Sequence, residues 1–243
     1  MPTSTQSIRE IVSAQPSAAA TLQFFDIDLC AQAEIPLERA CAELQLSVDQ
    51  VLEKLADAGA RTPGAPPVDP VSLTAGGLIQ LIVRVHHQYV RQQLPGLAEM
   101  ARKLAAKHAD HAPQLADVAV LLEDLRTDLF SHIQKEEQVL FPFISEMDQN
   151  KTPGTHTAHA CFGSVARPIS MMMQEHESAG HIMAELRRLT DGFEPPAWAC
   201  ATHIALYSGL RAFEIDLKQH VHLEDDVLFP RAIEMEAALS LKR

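Results

Sequence analysis

Apolar residues recur every three or four positions along four long stretches of the chain, at about residues 72–108, 113–149, 165–191 and 196–240. This spacing is typical of amphipathic α-helices. Turns that contain proline or glycine separate the stretches, and four helices with short connections are typical of a helical bundle. The pattern therefore predicts an all-α chain with a four-helix bundle.

Residues 59–70 carry four prolines and two glycines, which excludes them from a helix interior because proline lacks the amide donor. The fifty or so residues before them show shorter helical patterns, including a helix that Ser47 opens and that runs to about Ala58. We predict a small N-terminal helical domain at 1–58, a Pro/Gly-rich linker at 59–70 and the bundle at 71–243.

The charge of the chain narrows the choice of partners. With 20 basic and 32 acidic residues the formal net charge is −12, which disfavours nucleic acid and anionic lipid surfaces. No apolar run approaches the roughly 20 residues that span a bilayer, and the N-terminus shows no secretory signal. The four cysteines are scattered and form no C-x-x-C pair. We expect a soluble, cytoplasmic protein.

An internal repeat lies within the predicted bundle. The fifteen residues from Asp128 to Pro142 align without gaps with those from Asp216 to Pro230, and eight of the fifteen are identical. About one identity is expected by chance. His86 precedes His176 by 90 residues, close to the 88 residues between His132 and His220. The bundle is therefore predicted to consist of two duplicated helical hairpins.

Each copy of the repeat carries a histidine and a glutamate four residues apart, and this spacing places both side chains on one helix face. These pairs are His132 with Glu136 and His220 with Glu224, and both lie on otherwise apolar stripes. Burying an ionised carboxylate without a partner is costly, so a metal ion is the simplest compensation. Each pair is predicted to be one half of a metal site.

The other two helices each add one histidine to an apolar stripe, His86 and His176. A lone histidine on such a face is more often a hydrogen-bonded core residue, but four histidines and two glutamates in duplicated register favour metal ligation. The predicted centre holds two iron ions bridged by Glu136, Glu224 and an oxo or hydroxo group. Each iron then keeps an open position for a small ligand.

Carboxylates near these ligands are candidates for orienting the imidazoles. Asp128 and Asp216 stand four residues before His132 and His220, and Glu175 precedes His176. The Leu-Phe-Pro motifs at 140–142 and 228–230 are expected to mark a bend and to bind nothing. Among the remaining histidines, His222 is the strongest rival ligand. We interpret all of them as surface or structural residues, and they are His87, His108, His111, His156, His159, His181, His203 and His222.

The motifs resemble those of the iron-sulfur cluster repair di-iron proteins, in which a hemerythrin-like domain follows a small N-terminal domain. The resemblance covers nearly the whole chain and rests on four motifs: Arg84-Val-His86 with Gln93-Leu-Pro95, His132-x3-Glu136-Glu-x2-Leu-Phe-Pro142, Glu175-His176-Glu-x-Ala-Gly180 and His220-x3-Glu224-x3-Leu-Phe-Pro230. It implies the same six metal ligands, His86, His132, Glu136, His176, His220 and Glu224.

The N-terminal segment also resembles that family, with one departure. Many members carry two adjacent cysteines where this chain has Cys30 followed by Ala31, so a paired-thiol reaction is excluded at this point. Cys30 remains a candidate reactive thiol, although a buried free cysteine is the commoner case.

The family that the chain resembles includes nitric-oxide-binding members. The resemblance therefore implies a protein of the nitrosative- and oxidative-stress response. It would bind nitric oxide at the di-iron site and help restore damaged iron-sulfur or di-iron proteins. Reduction of nitric oxide by an enzyme and reversible binding of dioxygen by a carrier or sensor are the alternatives, and Cys30-Ala31 favours binding over turnover. A ferritin-like oxidase is disfavoured because the chain contains no Glu-x-x-His. A homodimer is a further expectation.

Overall fold

The computed structural model describes residues 2–15, 18–29, 32–59, 70–149 and 164–240. Within these ranges the chain is helical and contains no strand, apart from an isolated bridge between Ser7 and Pro36. The all-α prediction is confirmed. Residues 60–69 of the predicted linker lie outside the described residues, and so do Cys30, Cys161, His156 and His159.

Short helices fill the N-terminal part of the chain. They are α1 (Ile8–Ala14), α2 (Ala18–Phe24), α3 (Leu37–Glu43) and α4 (Val48–Gly59). The Ser7 hydroxyl caps α1 by accepting a hydrogen bond from the Glu10 amide, and the Glu10 carboxylate accepts one from the Ser7 amide. The Ser47 hydroxyl likewise accepts from the Gln50 amide at 3.4 Å. The helix predicted to begin after Ser47 is therefore confirmed.

The four predicted long helices are present, and three of them contain a π-helical segment. The first comprises α5 (Ala75–Ile82), π1 (Val83–His87) and α6 (Gln88–Lys107). The second comprises α7 (Leu115–Lys135), π2 (Glu136–Leu140) and α8 (Phe141–Asp148). The third is α9 (Ala166–Leu189), and the fourth comprises α10 (Ala201–His222), π3 (Leu223–Leu228) and α11 (Phe229–Ser240).

Proline accounts for two of the π segments. Pro142 and Pro230 each follow one of them by two residues, and a proline ring has no amide to donate and clashes with the carbonyl one turn earlier. A π turn, which is wider than an α turn, relieves that clash. The Leu-Phe-Pro motifs, which we expected to mark a bend, thus mark widened turns next to Glu136 and Glu224.

The chain divides into two compact units. The first comprises Met1–Pro63, Gln93–Leu122 and Glu185–Phe213, and the second comprises Gly64–Gln92, Glu123–Ala184 and Glu214–Arg243. The N-terminal residues thus share a unit with two segments of the long helices. The domain boundaries predicted from the sequence stay a prediction.

The second unit contains every candidate ligand and has its own apolar core. Leu78, Ile82, Leu140 and Ile144 are almost completely buried there, together with Phe229. Burial at such positions contributes about 1.5–3 kcal/mol for each large side chain. This core holds the ends of the ligand-bearing segments in place. Among the described residues, none of the helices has the length and hydrophobicity to cross a membrane.

Candidate metal centre

Two clusters of histidine and glutamate side chains lie in the second unit, and both are buried. In half-site A, the imidazoles of His87 and His220 meet carboxylate oxygens of Glu136 and Glu224. In half-site B, the imidazoles of His132 and His176 meet the same two glutamates. The ligand atoms within each half-site lie within 4.8 Å of one another. Both glutamates therefore belong to both half-sites, as ligands that bridge two metals would.

The distances inside the clusters suit a shared metal in each half-site. In half-site A the Nε2 atom of His87 lies 3.1 Å from that of His220 and 3.3 Å from Glu136 Oε2. In half-site B the Nε2 atom of His132 lies 2.9 Å from that of His176 and 3.3 Å from the same Oε2 atom. These atoms face inward together, which places two nitrogen and two oxygen donors around one point in each half-site.

Several polar atoms at the centre lack the hydrogen bonds that burial requires. Glu136 and Glu224 are each 0% exposed. Within the described part of the chain, both carboxylate oxygens of Glu136 and Oε2 of Glu224 have no hydrogen-bond partner. A buried carboxylate without partners is strongly unfavourable. Cations between the two half-sites would satisfy these oxygens, so the residues present fit a pair of metal ions.

The electrostatics of the cluster also favour cations. Burial lowers the pKa of His87 and of His176, but the nearby carboxylates, Glu136 and Glu224 for His87 and Asp225 and Glu224 for His176, stabilise the charged imidazoles and raise each pKa to about 10. Burial raises the pKa of Glu224, yet the neighbouring imidazoles, His220 foremost, hold it well below its usual range. The two glutamates thus attract positive charge, and a metal that binds here displaces protons from the imidazoles.

The outward nitrogens of three candidate ligands donate hydrogen bonds to carboxylates. His87 Nδ1 donates to Glu137 at 2.8 Å, His132 Nδ1 to Glu175 at 2.9 Å, and His176 Nδ1 to Asp225 at 2.9 Å. Such bonds fix the tautomer of a ligating imidazole, turn its ring toward the metal and raise its basicity. Three of the four imidazoles are therefore oriented for ligation through Nε2.

A sequence comparison agrees with this geometry. Residues 79–232, which span both half-sites, match the model of the hemerythrin HHE cation-binding domain. The chain is also 35% identical over 230 residues to the iron-sulfur cluster repair protein YtfE of Enterobacter sp. (strain 638), covering 94% of this chain and 96% of that protein. The chain belongs to the iron-sulfur cluster repair family.

Other family members match over similar lengths. The YtfE protein of Musicola paradisiaca is 34% identical over 232 residues, covering 96% of this chain and 98% of the relative. A probable iron-sulfur cluster repair protein of Haemophilus influenzae is 31% identical over 228 residues, covering 94% and 96%. The repair family therefore matches across both the N-terminal segment and the cation-binding domain, as the sequence motifs predicted.

The duplication that the repair-family chain shows in sequence is also visible around its candidate centre. Glu137 and Asp225 occupy the same position in the two repeat copies, and they accept hydrogen bonds from His87 and His176, respectively. The phenylalanines of the Leu-Phe-Pro motifs are equivalent too. Phe141 stacks on His87 at 5.6 Å, and Phe229 stacks on His176 at 6.1 Å. His87 is therefore the counterpart of His176.

The structure differs here from the sequence prediction, which chose His86 as the ligand and assigned His87 to the surface or structural class. His87 lies in half-site A and is 0% exposed. His86 is also buried, but its Nδ1 donates to Asp216 at 3.0 Å and its ring lies outside the candidate ligand groups of the described residues. The π1 segment is the reason, since its wider turn advances the inward position by one residue.

The three carboxylates predicted to orient the imidazoles differ in what they contact. Glu175 contacts His132 as expected of an orienting group, whereas Asp216 contacts His86 rather than His220. Asp128 is exposed and lines a pocket of about 190 Å³ beside His132. Sequence reasoning missed Glu137 and Asp225, which directly follow Glu136 and Glu224 in the sequence. The 89 residues between His87 and His176 match the repeat offset of 88 better than the 90 from His86, and this signal favoured His87.

Removing an orienting carboxylate is expected to weaken metal binding without changing the ligands. For Asp225→Ala we expect metal affinity to fall by about 10- to 100-fold, because His176 loses the acceptor for its Nδ1 proton. Competition with a chromophoric chelator measures this affinity. The matched control is Asp226→Ala, since Asp226 is exposed and pairs with the exposed His222. Equal losses in both variants would contradict the orienting role of Asp225.

Proposed function

We propose that this repair-family chain is a cytoplasmic non-haem di-iron protein that binds nitric oxide at half-sites A and B. In this proposal it takes part in the nitrosative- and oxidative-stress response by helping to restore damaged iron-sulfur or di-iron proteins. The observation that carries the proposal is the sharing of both buried glutamates between two pairs of imidazoles. That arrangement suits two ions held side by side with Glu136 and Glu224 as bridges.

The donor set supports iron in particular. Mixed imidazole and carboxylate ligands are common at non-haem iron. A structural zinc site is usually a closed, four-coordinate site whose ligands are mostly cysteines. Two imidazoles, two shared carboxylates and an oxo or hydroxo group would hold each iron, and such a set would leave one position open for a small ligand. When bound, a reduced iron pair of this kind supplies an open position with affinity for nitric oxide.

The protein's own residues account for the other requirements of such a site. Glu137, Glu175 and Asp225 orient the imidazoles, and the rings of Phe141 and Phe229 cover two of them. This apolar cover keeps bulk water from the bridging carboxylates.

Binding is favoured over turnover as the role of the site. The chain lacks the adjacent cysteine pair that many members of the family carry, because Ala31 follows Cys30. A paired-thiol reductant is thus missing at that point of the sequence. The alternatives are a nitric oxide reductase and a carrier or sensor of dioxygen, since the same open positions suit either ligand. The proposed protein partners are damaged iron-sulfur or di-iron proteins, which would accept iron from this site.

Rapid mixing of the reduced, iron-loaded protein with each gas tests the proposal. We expect nitric oxide to produce a stable new visible absorption and a changed Mössbauer spectrum. About one or two equivalents of gas should be consumed per iron pair, and no nitrous oxide should be released over many turnovers. Protein stripped of iron by a chelator is the control. Release of nitrous oxide over many turnovers would favour the enzyme. A stable complex with dioxygen and no response to nitric oxide would contradict the proposal.

A further inference from the structure

At one position beside the candidate metals, one hairpin carries a carboxylate and the other an imidazole. Glu175 directly precedes His176, and the equivalent residue before His87 is His86. Both residues are placed against a histidine of the other hairpin. Glu175 contacts His132, and the ring of His86 stacks on that of His220 at a centroid distance of 5.7 Å and an interplanar angle of 10°. The two half-sites are therefore not equivalent.

In half-site B, both imidazoles are supported from outside. His132 Nδ1 donates to Glu175 Oε2 at 2.9 Å, and Lys135 donates a further hydrogen bond to the other oxygen of Glu175. His176 Nδ1 donates to Asp225. Each ring is thus held in one orientation and one tautomer with Nε2 toward the metal.

In half-site A, only His87 has such support. His220 is 1% exposed, and its Nδ1 atom has no hydrogen-bond partner among the described residues. The ring of His86 makes no hydrogen bond to that atom, because the two rings are stacked nearly parallel and their nitrogens point within their own planes, with Nδ1 of His86 donating to Asp216. Asp216, the residue expected from the sequence to orient His220, is thereby held by a different histidine.

A ligating imidazole without an outward acceptor is less basic and less firmly oriented, and loss of such an acceptor typically costs 10- to 100-fold in metal affinity. The buried Nδ1 proton of His220 also stays without a partner when Nε2 binds the metal, which is itself unfavourable. Both effects weaken half-site A relative to half-site B.

We propose that the two half-sites bind metal unequally, so that the ion held by His87 and His220 is the first to leave and the last to bind. This inference rests on the proposed two-metal centre and deepens it, because it names which ion is available to a damaged acceptor protein. The ion in half-site B then remains as the anchored member of the pair. The difference arises from His86 standing where the other hairpin has Glu175.

Metal release tests the inference on the full-length protein. Two equivalents of ferrous iron are loaded without oxygen, the total iron per chain is counted, and an excess of a coloured ferrous chelator is then added. We expect two release phases of equal amplitude with rates that differ by about tenfold or more. In crystals loaded with one equivalent of cobalt, anomalous scattering is expected between His132 and His176.

Exchanging the differing residues provides matched variants. His86→Glu gives His220 the acceptor that His132 already has, and it is expected to slow the fast phase by about tenfold. Glu175→His copies half-site A into half-site B, and it is expected to accelerate the slow phase. Because His86→Glu places a second carboxylate near Asp216, the double variant His86→Glu/Asp216→Asn serves if the single variant does not fold.

The outcomes separate the inference from the proposed function. Two irons per chain that leave in one phase, or fast release that His86→Glu and the double variant leave unchanged, would overturn the inequality while leaving the two-metal centre intact. Fewer than two irons per chain in the loaded wild-type protein would instead contradict the proposed centre itself. Anomalous scattering between His87 and His220 at one equivalent would reverse the assignment.

Discussion

Glu224→Leu is expected to abolish the two-metal centre. Glu224 contributes an oxygen to each half-site, and each oxygen lies close to an imidazole, with Oε1 at 3.0 Å from His220 Nε2 and Oε2 at 3.1 Å from His176 Nε2. Leucine fills a similar volume but offers no donor, so both half-sites lose a ligand at once. Metal analysis should show a fall from two ions per chain to at most one, and loss of any Mössbauer signature of a coupled pair.

The same variant should lose the stability that metal gives to the folded chain. A ligand that binds only the folded state adds about 4 kcal/mol when its free concentration is a thousand times its dissociation constant. Iron should therefore raise the midpoint of thermal unfolding of the wild-type protein. The midpoint of Glu224→Leu should be the same with and without iron. Glu136→Leu is expected to behave alike, because Glu136 also belongs to both half-sites.

Glu234→Leu is the control for this experiment, since Glu234 is exposed on α11 and lies outside both half-sites. It should keep two metals and the metal-dependent shift of the unfolding midpoint. If Glu224→Leu also retained two ions per chain, the bridging role assigned to Glu224 would be wrong.

His87→Asn is expected to lose one of the two metals, whereas His86→Asn keeps both. An asparagine amide can reproduce the Nδ1 donor of either histidine, so the bonds to Glu137 and Asp216 are retained in the respective variants. Only His87→Asn removes an Nε2 atom from half-site A. Metal counting after gel filtration measures the difference, and circular dichroism checks that both variants keep their helices.

This pair of variants decides between the sequence prediction and the structure. Loss of metal in His86→Asn with two ions retained in His87→Asn would restore His86 as the ligand. Loss in both variants would show that half-site A depends on the π1 segment as a whole rather than on one imidazole.

Most of the fold and much of the centre follow from sequence patterns. The periodicity predicted the long helices because the spacing of apolar residues follows directly from the burial of one helix face. The repeat predicted His132, Glu136, His220 and Glu224 as inward groups because an i, i+4 pair shares a face wherever the helix is regular. These four residues lie on or next to the regular helices α7 and α10, and the structure places all of them in the clusters.

The sequence prediction and the structure differ where the helix is not regular. Counting four residues from Ile82 gives His86 on an α-helix, but the π1 segment adds one residue to the turn and so brings His87 inward. The orienting role of Glu137 and Asp225 was not predicted from the sequence for a related reason. Each accepts from a histidine on another helix, and the sequence does not show which helices face each other at that height.

Each half-site combines donors from both hairpins. Half-site A takes His87 from the first hairpin and His220 from the second, and half-site B takes His132 from the first and His176 from the second. A single hairpin therefore holds no complete set of donors for even one ion. A separate hairpin of this type would complete such a site only by pairing with a second copy, and the internal repeat places both copies in one chain.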